Sequence, residues 1–155
     1  MGASTTDARE LHAKLWALIR NENIDIRHNA RCTSPDAVEA GFFHPNIYGR
    51  FGPTIQLWRT RADTVDDYAQ ELITLAHEYG HAISHRRGER PRIDMPEPSP
   101  NLPEEEKQVV EEEEERAWKY GREVLASLTD GKYDCVLFEE RKRIADAVYA
   151  QRLGR

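Results

Sequence analysis

Five consecutive residues, His77-Glu78-Tyr79-Gly80-His81, carry the most distinctive chemistry in the chain. On an α-helix, residues four apart share a face, so the two imidazoles can grip one metal ion while Glu78 reaches a water beside it. A metal acting as Lewis acid beside a carboxylate acting as general base is hydrolytic machinery. Such a pentad arises by accident in about 3% of shuffled chains of this composition, so its surroundings must decide.

Those surroundings are helical. An apolar-periodic stretch runs from about 64 to 87, with Asp66 and Asp67 in its first turn, where the helix dipole favours acids, and Gly88 after it. Val65, Tyr68, Ala69, Leu72, Ala76, Tyr79 and Ile83 form one stripe at 100° per residue. With that stripe on the core, His77 and His81 fall on the opposite face, together with Gln70, Thr74 and His85. The core therefore does not consume the histidines. Gly80 costs a helix about 1 kcal/mol relative to alanine, so another chain segment is expected to pass close to it.

Two imidazoles leave a catalytic zinc one protein ligand short. The glutamate run 111–115 offers five candidates. On a helix from about 104 to 128, Val110, Ala117, Gly121, Val124, Leu125 and Leu128 turn inward. Glu114 falls near the middle of this stripe, Glu113 at its edge, and Glu111, Glu112 and Glu115 outward. An inward carboxylate is costly unless paired or bound to metal. Glu114 is thus the expected third ligand and Glu113 the alternative, while Ala117 and Gly121 would let this helix lie close against another.

The remaining segments must position these two helices. A first helix, capped by Thr5 or Thr6 and running to about Arg20, repeats Leu11, Leu15, Leu18 and Ile19, with Trp16 at the stripe's edge. Between 24 and 59, three short strands are expected: Ile24 to Ile26, Gly41 to Phe43, and 54–59, with turns at Pro35, Pro45, Gly49, Gly52 and Pro53. Residues 88–103 hold five of the eight prolines and form a long loop, either a stiff connector or a lid that touches substrate. A last helix, about 135–153, carries Val136, Leu137, Ile144, Ala147, Val148 and Leu153. The expected class is α+β: one domain over 1–155, its small sheet packed on the active-site helix and the glutamate-bearing helix, with N- and C-terminal helices.

Composition narrows the function classes. Net charge is −6, five of the acids stand in one run, and no lysine/arginine stripe of the kind that grips nucleic acid is present. No apolar run approaches the ~18 residues of a membrane span, and the N-terminus lacks the basic and apolar regions of a signal peptide. Cys32 and Cys135 read as reduced residues of a cytoplasmic protein.

The order of strand, H-E-x-x-H helix and second helix with E-x-x-A resembles the gluzincin metallopeptidases. Over residues 54–125 it is most similar to the compact ImmA/IrrE-like family, a minimal zincin. Leu75-Ala-His-Glu-Tyr-Gly-His81 resembles the family's helix motif, and Glu114-Glu-Arg-Ala-Trp-Lys-Tyr-Gly121 occupies its second motif, E-x-x-A-N-x-F-A. Glu114 and Ala117 match, Tyr120 stands for the aromatic, Trp118 replaces Asn and Gly121 replaces Ala. The resemblance implies Zn²⁺ held by His77, His81 and Glu114, with Glu78 as general base. It also implies hydrolysis of a peptide bond in a protein substrate, often a regulatory protein, laid in extended form on an edge strand at 54–59. The oxyanion donor is left among Tyr120, His85 and the proline-rich loop. Two other readings stand beside this one: a zinc-binding regulatory or interaction protein without turnover, and a metal-free helical module whose acidic run faces a basic partner.

Overall fold

The computed structural model describes residues 7–28, 41–45, 52–57, 62–90 and 95–155. Helix α1 (Ala8–Asn21) starts at Asp7, whose carboxylate accepts the Arg9 backbone N–H at 3.1 Å, and it ends where Asn23 turns to φ 62°. The caps expected from sequence, Thr5 and Thr6, lie outside the described residues. Leu11, Leu15 and Ile19 are buried along the anticipated stripe.

Strands β1 (Asp25–His28), β2 (Gly41–His44) and β3 (Thr54–Leu57) form one sheet in the order β1-β3-β2. β1 runs parallel to β3 and β2 antiparallel to it, with Gly41 opposite Leu57 and His44 opposite Thr54. β3 is therefore the central strand, which corrects the expectation that it forms an edge. Thr54, Ile55 and Leu57 are all buried, so the strand is covered on both faces. The Thr54 hydroxyl tolerates this because it donates to the Gly52 carbonyl at 3.2 Å.

Helix α2 (Val65–Arg86) opens with a capping box in which the Thr64 hydroxyl accepts from the Asp67 backbone and the Asp67 carboxylate accepts from the Thr64 backbone. Gly88, at φ 72°, follows its end. The helix packs against α1 and the sheet through Leu72, Ile73, Leu75, Ala76, Tyr79 and Ala82. Helix α3 (Glu104–Leu128) begins with three glutamates on its positive pole and stops before Asp130 and Gly131, both at positive φ. It crosses α2 in the most extensive helix contact of the molecule. No helix among the described residues is long and apolar enough to cross a membrane.

Helix α4 (Val136–Arg152) departs from its expected stripe. Its buried residues are Phe138 and Ala145, neither on that stripe; of the stripe, Val136 is 76% exposed and Ile144 41%, while Leu153, just past the helix, is buried as expected. The helix meets the body with Phe138 edge-on to Trp118 at 5.3 Å, while Val136, Leu137, Ile144 and Tyr149 line surface grooves. Apolar periodicity alone does not separate these cases.

A buried polar knot ties α1, β1 and α2 together. Glu71, 4% exposed, meets His12 Nε2 at 2.6 Å with one oxygen and His28 Nε2 at 2.7 Å with the other. Trp16 stacks on His28 and Tyr68 meets His12 edge-on. Burial pushes the Glu71 carboxyl up, but the bonds and charges of the two histidines outweigh it and hold its pKa below the ordinary glutamate value. A depressed folded-state value stabilises the protein above the unfolded value and is lost as pH falls through the folded one. Glu71→Ala is expected to cost about 3 kcal/mol at pH 7, a difference that shrinks below about pH 4. Urea unfolding at the two pH values measures it, and a pH-independent loss would contradict the ionic account.

Candidate metal centre

Glycine makes the site. A Cβ added to Gly80 would overlap the Ala117 carbonyl oxygen and stand 2.7 Å from its carbonyl carbon. One added to Gly121 would stand 2.7 Å from the Ala76 carbonyl oxygen. The two helices thus approach backbone to backbone, with Gly80 on Ala117 and Gly121 on Ala76. His77 and His81 flank Gly80, and Glu113 and Glu114 lie about one turn before Ala117, so the crossing brings the carboxylates under the imidazoles.

Glu114 meets both rings. One carboxylate oxygen lies 3.0 Å from His77 Nε2 and the other 3.3 Å from His81 Nε2. One donor atom from each of these three residues lies within 4.8 Å of the others. Donors on a tetrahedral ion with bonds of about 2.0–2.1 Å stand about 3.3 Å apart, so the observed spacing suits a metal.

Glu113 does different work. It is 1% exposed, deeper than Glu114, which reverses the order expected from the helical wheel. One of its oxygens meets His81 Nδ1 at 2.6 Å, and the other accepts from Ser84 Oγ at 2.6 Å and Arg116 Nε at 3.3 Å. This turns His81 so that Nε2 faces Glu114. His77 is held differently: its Nδ1 is buried without a hydrogen-bond partner, and its ring lies 4.2 Å from that of Trp118. Trp118, at the position where the resembling motif has Asn, thus holds the His77 ring by packing.

The electrostatics couple these groups. Burial raises the Glu114 pKa, yet the charges of His81 and His77 outweigh it and hold the carboxyl well below its usual range. Burial lowers His81, but the Glu114 charge and the bonds from Glu113 and Glu114 raise it to about 10. Burial dominates at Glu78 and pushes its carboxyl up, because the side chain is 7% exposed and packed near Gly41 of β2.

These groups open onto a cleft of about 640 Å³. Its walls are β2 (Gly41, Phe43), the α2–α3 pair, residues 95–98 of the proline-rich stretch, and the inner face of α4. Tyr120 and His85 do not line it. Tyr120 donates to Glu89, with the Arg87 guanidinium 4.6 Å from its ring centre, and His85 is exposed near Phe43. The cleft instead presents Arg90, Tyr149, Arg141 and Arg152, none of which the motif reading singled out. For Arg141, Tyr149 and Arg152 the sequence signal is their spacing along one helix face, and Arg90 has none of that kind.

No family model matches the chain, and no curated protein or solved structure is significantly similar to it. The functional argument therefore rests on the residues themselves.

Proposed function

We propose that the chain is a zinc-dependent endopeptidase of the minimal zincin type, similar in its motifs to the ImmA/IrrE-like gluzincins. The observation that carries this reading is the meeting of His77 Nε2, His81 Nε2 and the Glu114 carboxylate on a cleft that also presents Glu78. Two imidazoles and one carboxylate suit zinc, which when bound polarises a scissile carbonyl and makes a neighbouring water acidic near neutral pH. Glu78 takes that water's proton and passes it to the leaving amine. Its buried position raises its basicity, which suits a proton carrier more than a structural ion pair.

Substrate positioning falls to β2. It is paired with β3 on one side, and its other edge carries no strand among the described residues. Gly41 on this strand packs against Thr74 and Glu78, so a peptide adding to that edge would run beside the general base. The residues 95–98 would cover it from the other side. A cytoplasmic location goes with reading Cys32 and Cys135 as reduced, and a regulatory protein as target accompanies the family resemblance.

The test is digestion of a proteome-derived peptide mixture, read by mass spectrometry. Discrete new termini are expected, abolished by a zinc chelator and restored by added zinc. Zinc-loaded protein that cuts nothing would count against the reading. Glu113→Gln is expected to fold normally and lose about 10–100-fold in zinc affinity, because His81 is no longer held in its ligand tautomer. Competition with a chromophoric chelator reads this, and unchanged affinity would remove the orienting role.

A further inference from the structure

Residues 95–98, Met-Pro-Glu-Pro, form one wall of the cleft, and all four line it. Each proline fixes its own φ and confines the residue before it to extended conformations, so Met95 and Glu97 keep little backbone freedom. The stretch belongs to no helix or strand, and it is anchored just beyond. The Ser99 carbonyl accepts from the Leu102 N–H at 3.2 Å, and Ser99 Oγ accepts from the Asn101 N–H at 3.2 Å, on the way into α3. Pro100 packs against Gly154 past the end of α4, where an added Cβ would stand 2.9 Å from the proline's own. Sequence and packing together mount one carboxylate, Glu97, on a stiff segment at the cleft.

The other charges of the cleft are committed. Glu78 is the general base, and His77, His81 and Glu114 face one another. Glu113 holds His81, Ser84 and Arg116. Arg90, Arg141 and Arg152 are engaged within the molecule, Arg141 Nη1 donating to Gln70 Oε1 at 2.7 Å. Glu97 differs: it is exposed and makes no hydrogen bond or ion pair among the described residues. We infer that Glu97 is a specificity-determining residue of the cleft, accepting a lysine or arginine side chain of an extended peptide. The peptide comes from the proposed peptidase reading, and its charge from Glu97. Met95, Pro96 and Pro98 beside the carboxylate offer an apolar bed for the methylene stem of that side chain. Alternate side chains of an extended chain point to opposite faces, so the preference belongs to one substrate position and spares its two neighbours.

The test uses three fluorescein-labelled libraries of neutral octapeptides, each with a single Lys, Gln or Glu at the centre. Anisotropy measures binding to zinc-loaded Glu78→Gln protein, and mass spectrometry aligns the bonds that wild type cuts. The Lys library is expected to bind about fivefold more tightly than the Gln library, the upper range for a partly exposed ion pair, and the Glu library most weakly. Cleaved members of the Lys library should carry the lysine at one fixed distance from the cut bond. Glu97→Gln, made in the same Glu78→Gln background, should erase the preference. Glu97→Lys should reverse it toward the Glu library, a gain that misfolding cannot mimic. Equal affinity for the three libraries, or a Lys preference untouched by Glu97→Lys, would overturn the inference. Lys-selective binding that Glu97→Lys reverses, without any cleavage by wild type, would support the contact and refute the peptidase reading. Cleavage with no preference for Lys would overturn the contact and leave the peptidase reading standing.

Discussion

Glu78→Gln is expected to keep its zinc and lose about 10²–10⁴-fold in peptide hydrolysis, the usual contribution of a positioned general base. The substitution is close to isosteric, which matters because Glu78 is 7% exposed and Gly41 leaves no room beside its stem. Glutamine removes the proton-accepting oxygen and the cost of burying a charge, so thermal stability should not fall. Three readings separate here. An enzyme loses turnover with metal retained, a zinc-binding regulator shows no turnover to lose and keeps its partner, and a metal-free module contains no zinc at all. Steady-state cleavage and metal analysis on the same preparations distinguish them.

Gly80→Ala is expected to be the most damaging methyl group that can be added to any glycine among the described residues. The new Cβ would overlap the Ala117 carbonyl, which is backbone of a long helix and cannot swing aside. Helices α2 and α3 must part by more than an ångström, opening the largest helix contact and drawing Glu113 and Glu114 away from the imidazoles. Alanine's better helix propensity returns about 1 kcal/mol, but overpacking on this scale costs more, for a net loss of about 2–4 kcal/mol. That corresponds to a fall in Tm of about 5–15 °C, with zinc affinity lost alongside. Gly88→Ala is the control: its Cβ meets nothing within 4 Å, and only its φ of 72° is strained. It should cost about 1 kcal/mol and leave the metal in place. If Gly80→Ala behaved like Gly88→Ala, the close crossing would not be what builds the site.

The sequence made these two helices legible because local rules agree there. Thr64 with Asp67 announces the start of α2, Gly88 its end, and a mid-helix glycine between two histidines has no local reason to exist. Ala117 and Gly121 supplied the complementary half of the crossing. Long-range pairing left no such trace. The alternation of Thr54 to Leu57 fits an edge or a centre equally well, and only the arrival of β1 and β2 on its two sides makes β3 central. The division of labour between Glu113 and Glu114 was hidden for a related reason. They are neighbours on one helix, and what separates them is that His81 Nδ1 and Ser84 approach one while both Nε2 atoms approach the other. The α4 face misled because Ile144 and Val136 carry the apolar period while, of the expected stripe, only Leu153 at its end is fully buried and Phe138, outside it, makes the contact.

The central claim is that His77, His81 and Glu114 together hold one catalytic zinc, and metal analysis of protein purified without added metal tests it most directly. Wild type should carry about one zinc per chain and Glu114→Ala almost none, while Glu113→Gln should refill when zinc is supplied in excess. A wild-type protein without zinc, or a Glu114→Ala protein with its zinc intact, would contradict the account.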